Sequence, residues 1–165
     1  MNHNFVAEND KIRIKPMTDE ESEQYRLLRN RKDNAPFFFT SITITKEMQR
    51  KWFEKYLCDD SQLMFSIYEK ATDAFIGGVS IYGVNTKKGE AEVGRIIIDK
   101  EIASGKYYGA QSIELVSEVA KNELGLKSLY ASIYSSNIPS LKAFRDAGYK
   151  DEEIKDNITK VRIEL

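Results

Sequence analysis

The chain has 165 residues, 41% apolar and 31% charged, with 25 basic side chains against 26 acidic. A length of this order suits one domain with a core of its own, and the charge balance excludes a disordered acidic or basic tail and any field that would hold nucleic acid unaided. The lone Cys58 and lone His3 exclude a disulfide framework and a multi-cysteine metal site and argue against a His-driven relay.

No apolar run approaches the roughly 18 residues of a membrane span, and no secretory h-region follows Met1. The expectation is a soluble cytoplasmic protein whose chemistry avoids metal, with no membrane or nucleic-acid partner.

In chain order, the first nine residues read as a loose lead-in. Residues 11–17 alternate, with Ile12 and Ile14 on one face, which predicts a short strand ended at Pro16. Thr18 before Asp19-Glu20-Glu21 is a helix start, a capping hydroxyl with acids in the positive first turn, and that helix runs to about Lys32. Residues 34–44 carry Phe37-Phe38-Phe39 and read as an irregular aromatic segment whose phenylalanines are mostly core. Thr45 caps a second helix through Trp52, Phe53, Tyr56 and Leu57, and Cys58 behind it reads as a buried or inert thiol.

From Leu63 the period changes to β. Residues 63–70, 74–82 and 90–99 are strand-like and separated by turn signals, as in an antiparallel meander. A glycine-containing turn spans 105–109. A helix follows over 110–124, its apolar stripe made by Ile113, Val116, Ala120 and Leu124, with Gly125 as its C′ residue. Residues 127–134 predict a strand, 139–147 a short helix, and 149–165 two terminal strands, with Asp151-Glu152-Glu153 as a solvated turn. The order is β-α-α-β-β-β-α-β-α-β-β, an α/β (α+β) fold.

Two segments carry chemistry. The run Ala91-Glu92-Val93-Gly94-Arg95-Ile96-Ile97-Ile98 leads into Ser104-Gly105-Lys106-Tyr107-Tyr108-Gly109-Ala110 and a long helix. A helix starting on a glycine turn presents unpaired N–H groups and a positive dipole end, which suit phosphate oxygens, and Lys106 adds a point charge. The second segment is Ser135-Ser136-Asn137-Ile138-Pro139-Ser140, followed by Ala147-Gly148-Tyr149. Capping alone accounts for each of its residues but not for the two segments occurring together in this order.

Together they resemble the Gcn5-related N-acetyltransferase superfamily over residues 12–154, most closely over 90–149. The nearest branch contains ribosomal-protein N-terminal and sugar-nucleotide amine acetyltransferases. The resemblance implies a mixed, mostly antiparallel sheet of about seven strands flanked by about four helices, splayed to admit acetyl-CoA. It places the pyrophosphate turn on Ser104, Gly105, Lys106, Tyr107, Gly109 and Ala110, where only Gly109 matches the family pattern cleanly and Tyr107 replaces a glycine. Ile96, Ile97 and Ile98 would pair with the pantetheine arm, and Asn137 and Ser140 would line its far side.

Glu92 is the preferred base for the amine and Glu90, two residues away on the same strand face, the reserve; the oxyanion would meet a backbone N–H near Ile96. Phe144 stands where many relatives place a tyrosine acid, which leaves Ser140, Tyr134 or water to protonate the thiolate, or no assistance at all. Arg29, Asn30, Phe38 and Tyr82 are the candidate acceptor residues, with Arg29-Asn30 resembling a stretch of the sugar-nucleotide enzymes. The acceptor is a small-molecule amine, an amino-sugar nucleotide among them, or a protein N-terminus. A CoA-binding module without turnover is the competing class, and a monomer or homodimer is expected.

Overall fold

The computed structural model describes residues 3–40 and 42–165; Met1 and Asn2 of the expected lead-in and Ser41 of the aromatic segment lie outside them. One eight-stranded sheet has the order β1-β2-β3-β4-β5-β6-β8-β7. Its strands are β1 (Ala7–Glu8), β2 (Ile12–Pro16), β3 (Leu63–Glu69), β4 (Ala74–Asn85), β5 (Glu90–Ile98), β6 (Ser128–Tyr134), β7 (Lys150–Lys155) and β8 (Ile158–Glu164). Among the described residues every neighbouring pair is antiparallel except β5 and β6.

The helices are α1 (Asp19–Asn30), α2 (Lys46–Tyr56), α3 (Lys100–Ala103), α4 (Tyr108–Asn122) and α5 (Ile138–Asp146). α1 and α2 cover one face through a core of Met17, Tyr25, Leu28, Phe53, Tyr56, Met64 and Ile97. On the other face the α4 stripe of Ile113, Val116, Val119 and Ala120 meets Ile14, Phe65, Ile76 and Val93 in the larger core. Helix starts follow the local chemistry. Thr18 and Glu21 form a reciprocal capping box, the Thr45 hydroxyl accepts from the Met48 N–H, and Asn137 caps α5.

Several expectations are corrected. The lead-in is docked: Ala7 pairs with Ile14, and the buried His3 ring contacts Phe65 and bonds the Met64 carbonyl through Nε2 at 3.1 Å. That adds a strand, and the Asp99-capped α3 adds a helix. Phe37 and Phe39 are exposed, Phe37 closing the 3-10 turn Ala35–Phe37 and Phe39 following it, whereas Phe38 between them packs against the core under α1 and α2. Cys58 is exposed beyond the end of α2. Residues 151–153 belong to the edge strand β7, where Arg145 holds Asp151 and Arg162 holds Glu152. β7 reaches β8 through Asp156-Asn157, both at positive φ, as a two-residue type I′ hairpin demands. No helix among the described residues is long and apolar enough to cross a membrane.

Candidate active site

β5 and β6 pair only through Glu90↔Ser128, Ala91↔Leu129 and Glu92↔Tyr130, after which each runs on without the other. A bulge on β5 lies at the parting. Ser80 faces Gly94 and Gly78 faces Ile97, so β5 spends one more residue than β4 across this step, and Arg95 takes φ +51°. The extra residue reverses the side-chain parity. Val93 packs into the larger core, whereas Ile97 packs under α1 and α2. The Arg95 carbonyl accepts from the Tyr25 hydroxyl at 2.7 Å, and in a trans peptide this turns the Ile96 N–H the opposite way.

The parting opens two connected cavities. One, of about 400 Å³, runs along Ile96, Ile97 and Ile98 to Ser104, Gly105, Tyr107, Gly109 and Ala110, with Asn137 and Ser140 on the α5 side. The other, of about 260 Å³, lies in the split between Tyr82, Gly94, Arg95 and Ile96 on one bank and Ser132, Tyr134 and Phe144 on the other. Phe37, Phe38, Ile96, Asn137 and Ser140 line both. Nearly all the residues expected to hold the cofactor are thus gathered along one channel.

Lys106 is the exception. Its ammonium is turned away onto the Glu69 carboxylate at 2.6 Å. Tyr108 and Thr72 hydroxyls bond the same carboxylate at 2.9 and 2.8 Å. With Lys106 the leading cause, ahead of the Thr72 and Tyr108 hydroxyls, the Glu69 carboxyl is pushed down to about 2. The lysines beside the channel are Lys100 and Lys142, which the sequence did not single out; Lys142 is shared with Asp146 at 2.6 Å.

The α4 N-terminus keeps its positive end, since no acid occupies its first turn. Gly105 at φ +76° and Tyr107 at φ +57° wind the backbone into that terminus. An apolar channel ending on such a terminus, with two lysines beside it, fits a long thioester with a polyphosphate tail.

Glu92 and Glu90 share a strand face but not a setting. Glu90 is bound to Arg162 at 3.2 Å. Glu92 is half-buried between Tyr82 and Tyr130, its cross-strand partners. Burial first, then Glu92, pushes the Tyr82 hydroxyl well up, which keeps it protonated. That hydroxyl lies over Gly94, 2.7 Å from where a Cβ would stand. Phe144 is buried edge-on to Tyr149, and Tyr134 stands in the split packed edge-on to Phe39.

Beside the split, a cavity of about 460 Å³ lies among Tyr25, Arg29, Phe38, Thr40, Trp52 and Arg95, and it shares Phe38, Thr40 and Arg95 with the split. Two of the four candidate acceptor residues are engaged by the protein itself. Arg29 donates to the Thr40 and Ile42 carbonyls at 3.0 and 3.1 Å, with its guanidinium over Phe38. Asn30 bonds both the N–H and the carbonyl of Ile44. Arg95, which sequence reasoning missed, is the half-buried cation of this cavity. Its signal was the Gly94-Arg95 step inside an apolar run, since an isolated strand glycine marks a bulge.

Residues 11–150 match the acetyltransferase (GNAT) domain family. An uncharacterized protein of Methanocaldococcus jannaschii is 32% identical over 150 residues, 88% of this chain and 29% of that protein, so the chain spans less than a third of that relative's length. The spermidine N-acetyltransferase of Vibrio cholerae, solved with CoA and spermine, superposes at TM-score 0.84 with 17% identity, covering 94% of this chain and 96% of the other. The nucleotide-linked sugar GNAT FdhC, solved apo, also superposes at 0.84 with 18% identity, over 98% of this chain and 91% of its own. At such identities the two superpositions speak for the fold alone, a sheet parted in the middle and flanked by helices. With the family match spanning 140 of the 165 residues, from 11 to 150, this chain belongs to the GNAT acetyltransferases.

Proposed function

We propose that this chain transfers the acetyl group of acetyl-CoA directly to a primary amine. The observation that carries this reading is the parted β5–β6 pair, whose gap continues as one channel to the α4 N-terminus. The main chain of 96–98, released from β6, pairs with the pantetheine arm as an added strand would. The α4 N–H groups, with Lys100 and Lys142 beside them, take the phosphates.

An alkyl ammonium has a pKa near 10, so the acceptor must lose a proton before it attacks. Glu92 receives that proton, with the hydroxyl of its cross-strand partner Tyr82, which lines the split, passing it on. The Ile96 N–H meets the negative charge that develops on the thioester oxygen. Ser140, on the wall of both cavities, donates a hydrogen bond to the departing thiolate where Phe144 has none to give. A thiol pKa of about 8.5 makes that help a minor requirement.

The acceptor is a small-molecule amine or a peptide N-terminus. The amino-sugar nucleotide retains the structural likeness to a sugar GNAT but not Arg29 and Asn30 as its ligands, since both staple the 40–44 segment. Thiol release from acetyl-CoA is measured across an amine panel. Amine-dependent release is expected, and Glu92→Gln, which keeps the size of the side chain and removes its basicity, lowers it by about 10²-fold or more at neutral pH. Wild-type rates in that variant would remove Glu92 as the base. Tight CoA binding with no release for any amine would make the chain a binding module.

A further inference from the structure

Fold similarity does not select the acceptor, because the two superposed enzymes are named for a polycationic and a nucleotide-linked substrate and score alike. The acceptor cavity itself does. The Arg95 guanidinium lies 4.5 Å from the Tyr82 ring centroid and 5.6 Å from that of Trp52. Its hydrogen bond goes to the neutral Gln62 amide oxygen at 2.7 Å, and among the described residues it forms no salt bridge. Asp59, whose carboxyl feels the Arg95 charge, accepts from Ser61 and Gln62 and forms no salt bridge to Arg95.

The neighbouring cation, Arg29, is turned onto main-chain carbonyls that carry no net charge. Neither the acceptor cavity nor the split it joins is lined by an aspartate or glutamate among the described residues. Two cations therefore share an aromatic, partly desolvated space with no carboxylate in its lining, Asp59 and Glu92 lying outside it. Desolvating a cation without a partner is costly, and the bulge that aims Arg95 into this space is the same one that exposes the Ile96 N–H beside it.

On the reading that the chain acetylates a primary amine, we propose that the acceptor carries an oxyanion, a carboxylate or a phosphate monoester, which docks on Arg95 in the cavity floored by Trp52 and Tyr82. A polyamine would bring further positive charge against Arg29 and Arg95, with no carboxylate in the cavity lining to hold its second ammonium. Arg95 is thus a specificity-determining residue, and its planar fork suits both oxyanions.

The test uses matched amines that differ in the anion: 4-aminobutyrate against 4-aminobutan-1-ol, and glucosamine 6-phosphate against glucosamine, with spermidine as the cationic member. In the wild type the anionic member of at least one pair is expected to have the higher kcat/KM by about 10- to 100-fold, the range of a charge-assisted pair, with spermidine the poorest. The pair showing the larger ratio identifies carboxylate or phosphate. Arg95→Met, an unbranched side chain at the same backbone angle, brings the ratio towards one through KM, and Arg95→Lys restores part of it.

Binding is read separately from turnover by the fluorescence of Trp52, the single tryptophan. Glucosamine 6-phosphate or 4-aminobutyrate should give a saturable change that its neutral partner does not, at least 10-fold weaker in Arg95→Met. Ratios near one in the wild type, spermidine as the best acceptor, or equal losses for both members of a pair in Arg95→Met would overturn the proposal. Anion-selective binding without acetylation of any amine would leave the Arg95 site standing and refute the transferase reading.

Discussion

Tyr107 occupies the left-handed region at φ +57° immediately before α4, and its ring is 71% exposed. A side chain there costs about 1–2 kcal/mol, and glycine gives back roughly 0.5–1 kcal/mol of that as unfolded-chain entropy. Because the exposed ring buries little, Tyr107→Gly should be neutral to stabilising by up to about 1 kcal/mol, a rise in Tm of about 2–4 °C for a chain of this size. The ring also stands at the phosphate end of the channel, so calorimetry should find tighter acetyl-CoA binding in the variant. Weaker binding would mean that the ring packs on the cofactor and contributes to holding it. Reading the turn as altered was within reach of the sequence; reading which way Lys106 points was not. Its direction is set by Glu69, distant along the chain, and by two positive-φ residues whose angles no local pattern reveals.

Elements whose limits are set by neighbours in sequence were legible: the starts of α1, α2 and α5 follow from Thr18, Thr45 and Asn137, and α4 from its apolar stripe. The β5 bulge was signalled only by Gly94, and its effect was not legible, because simple alternation puts Val93, Arg95 and Ile97 on one face and only pairing with β4 shows that Ile97 has changed sides. The docking of 7–8 on β2 was likewise non-local. What makes the bulge fit is Gly77, at φ +152°, where a Cβ would stand 2.0 Å from the Ile97 carbonyl oxygen. That oxygen is backbone and cannot swing aside. Gly77→Ala is therefore expected to cost at least about 2 kcal/mol, the range of an overpacked core. It should also weaken acetyl-CoA binding, since the displaced strand is the one that lines the channel. Denaturant melts and calorimetry measure the two effects. A variant of unchanged stability would show that β4 and β5 can part here without loss.

At the scale of the whole molecule, β3 is tied to one helical layer on each side by a buried carboxylate. Glu21 on α1 reaches the Ser66 hydroxyl at 2.6 Å, the Tyr68 hydroxyl, and Lys15 at 3.0 Å. Glu69 at the end of β3 holds Lys106 and Tyr108 at the start of α4. Burial pushes the Glu21 carboxyl up, but its hydrogen bonds from Ser66, Tyr68, Thr18 and Lys15 outweigh that and leave it below its ordinary value. Glu69 is pushed down to about 2, by Lys106 foremost. Both carboxyls thus bind protons less readily in the folded chain than in the unfolded one, so their contribution is present above the ordinary glutamate range and is lost as pH falls through each folded value, about 2 for Glu69. Denaturant midpoints should be level for this contribution from pH 7 to about 5 and then fall. Glu69→Gln should be less stable than the parent at pH 7 and lose less on acidification, because one of the two titrating ties is gone. An acid limb of the same depth in parent and variant would show that Glu69 does not couple β3 to α4. Since Lys106 would then be free of its carboxylate, the same variant asks whether that ammonium turns back towards the channel. Tighter acetyl-CoA binding at pH 7, despite the lower stability, is the result expected if it does.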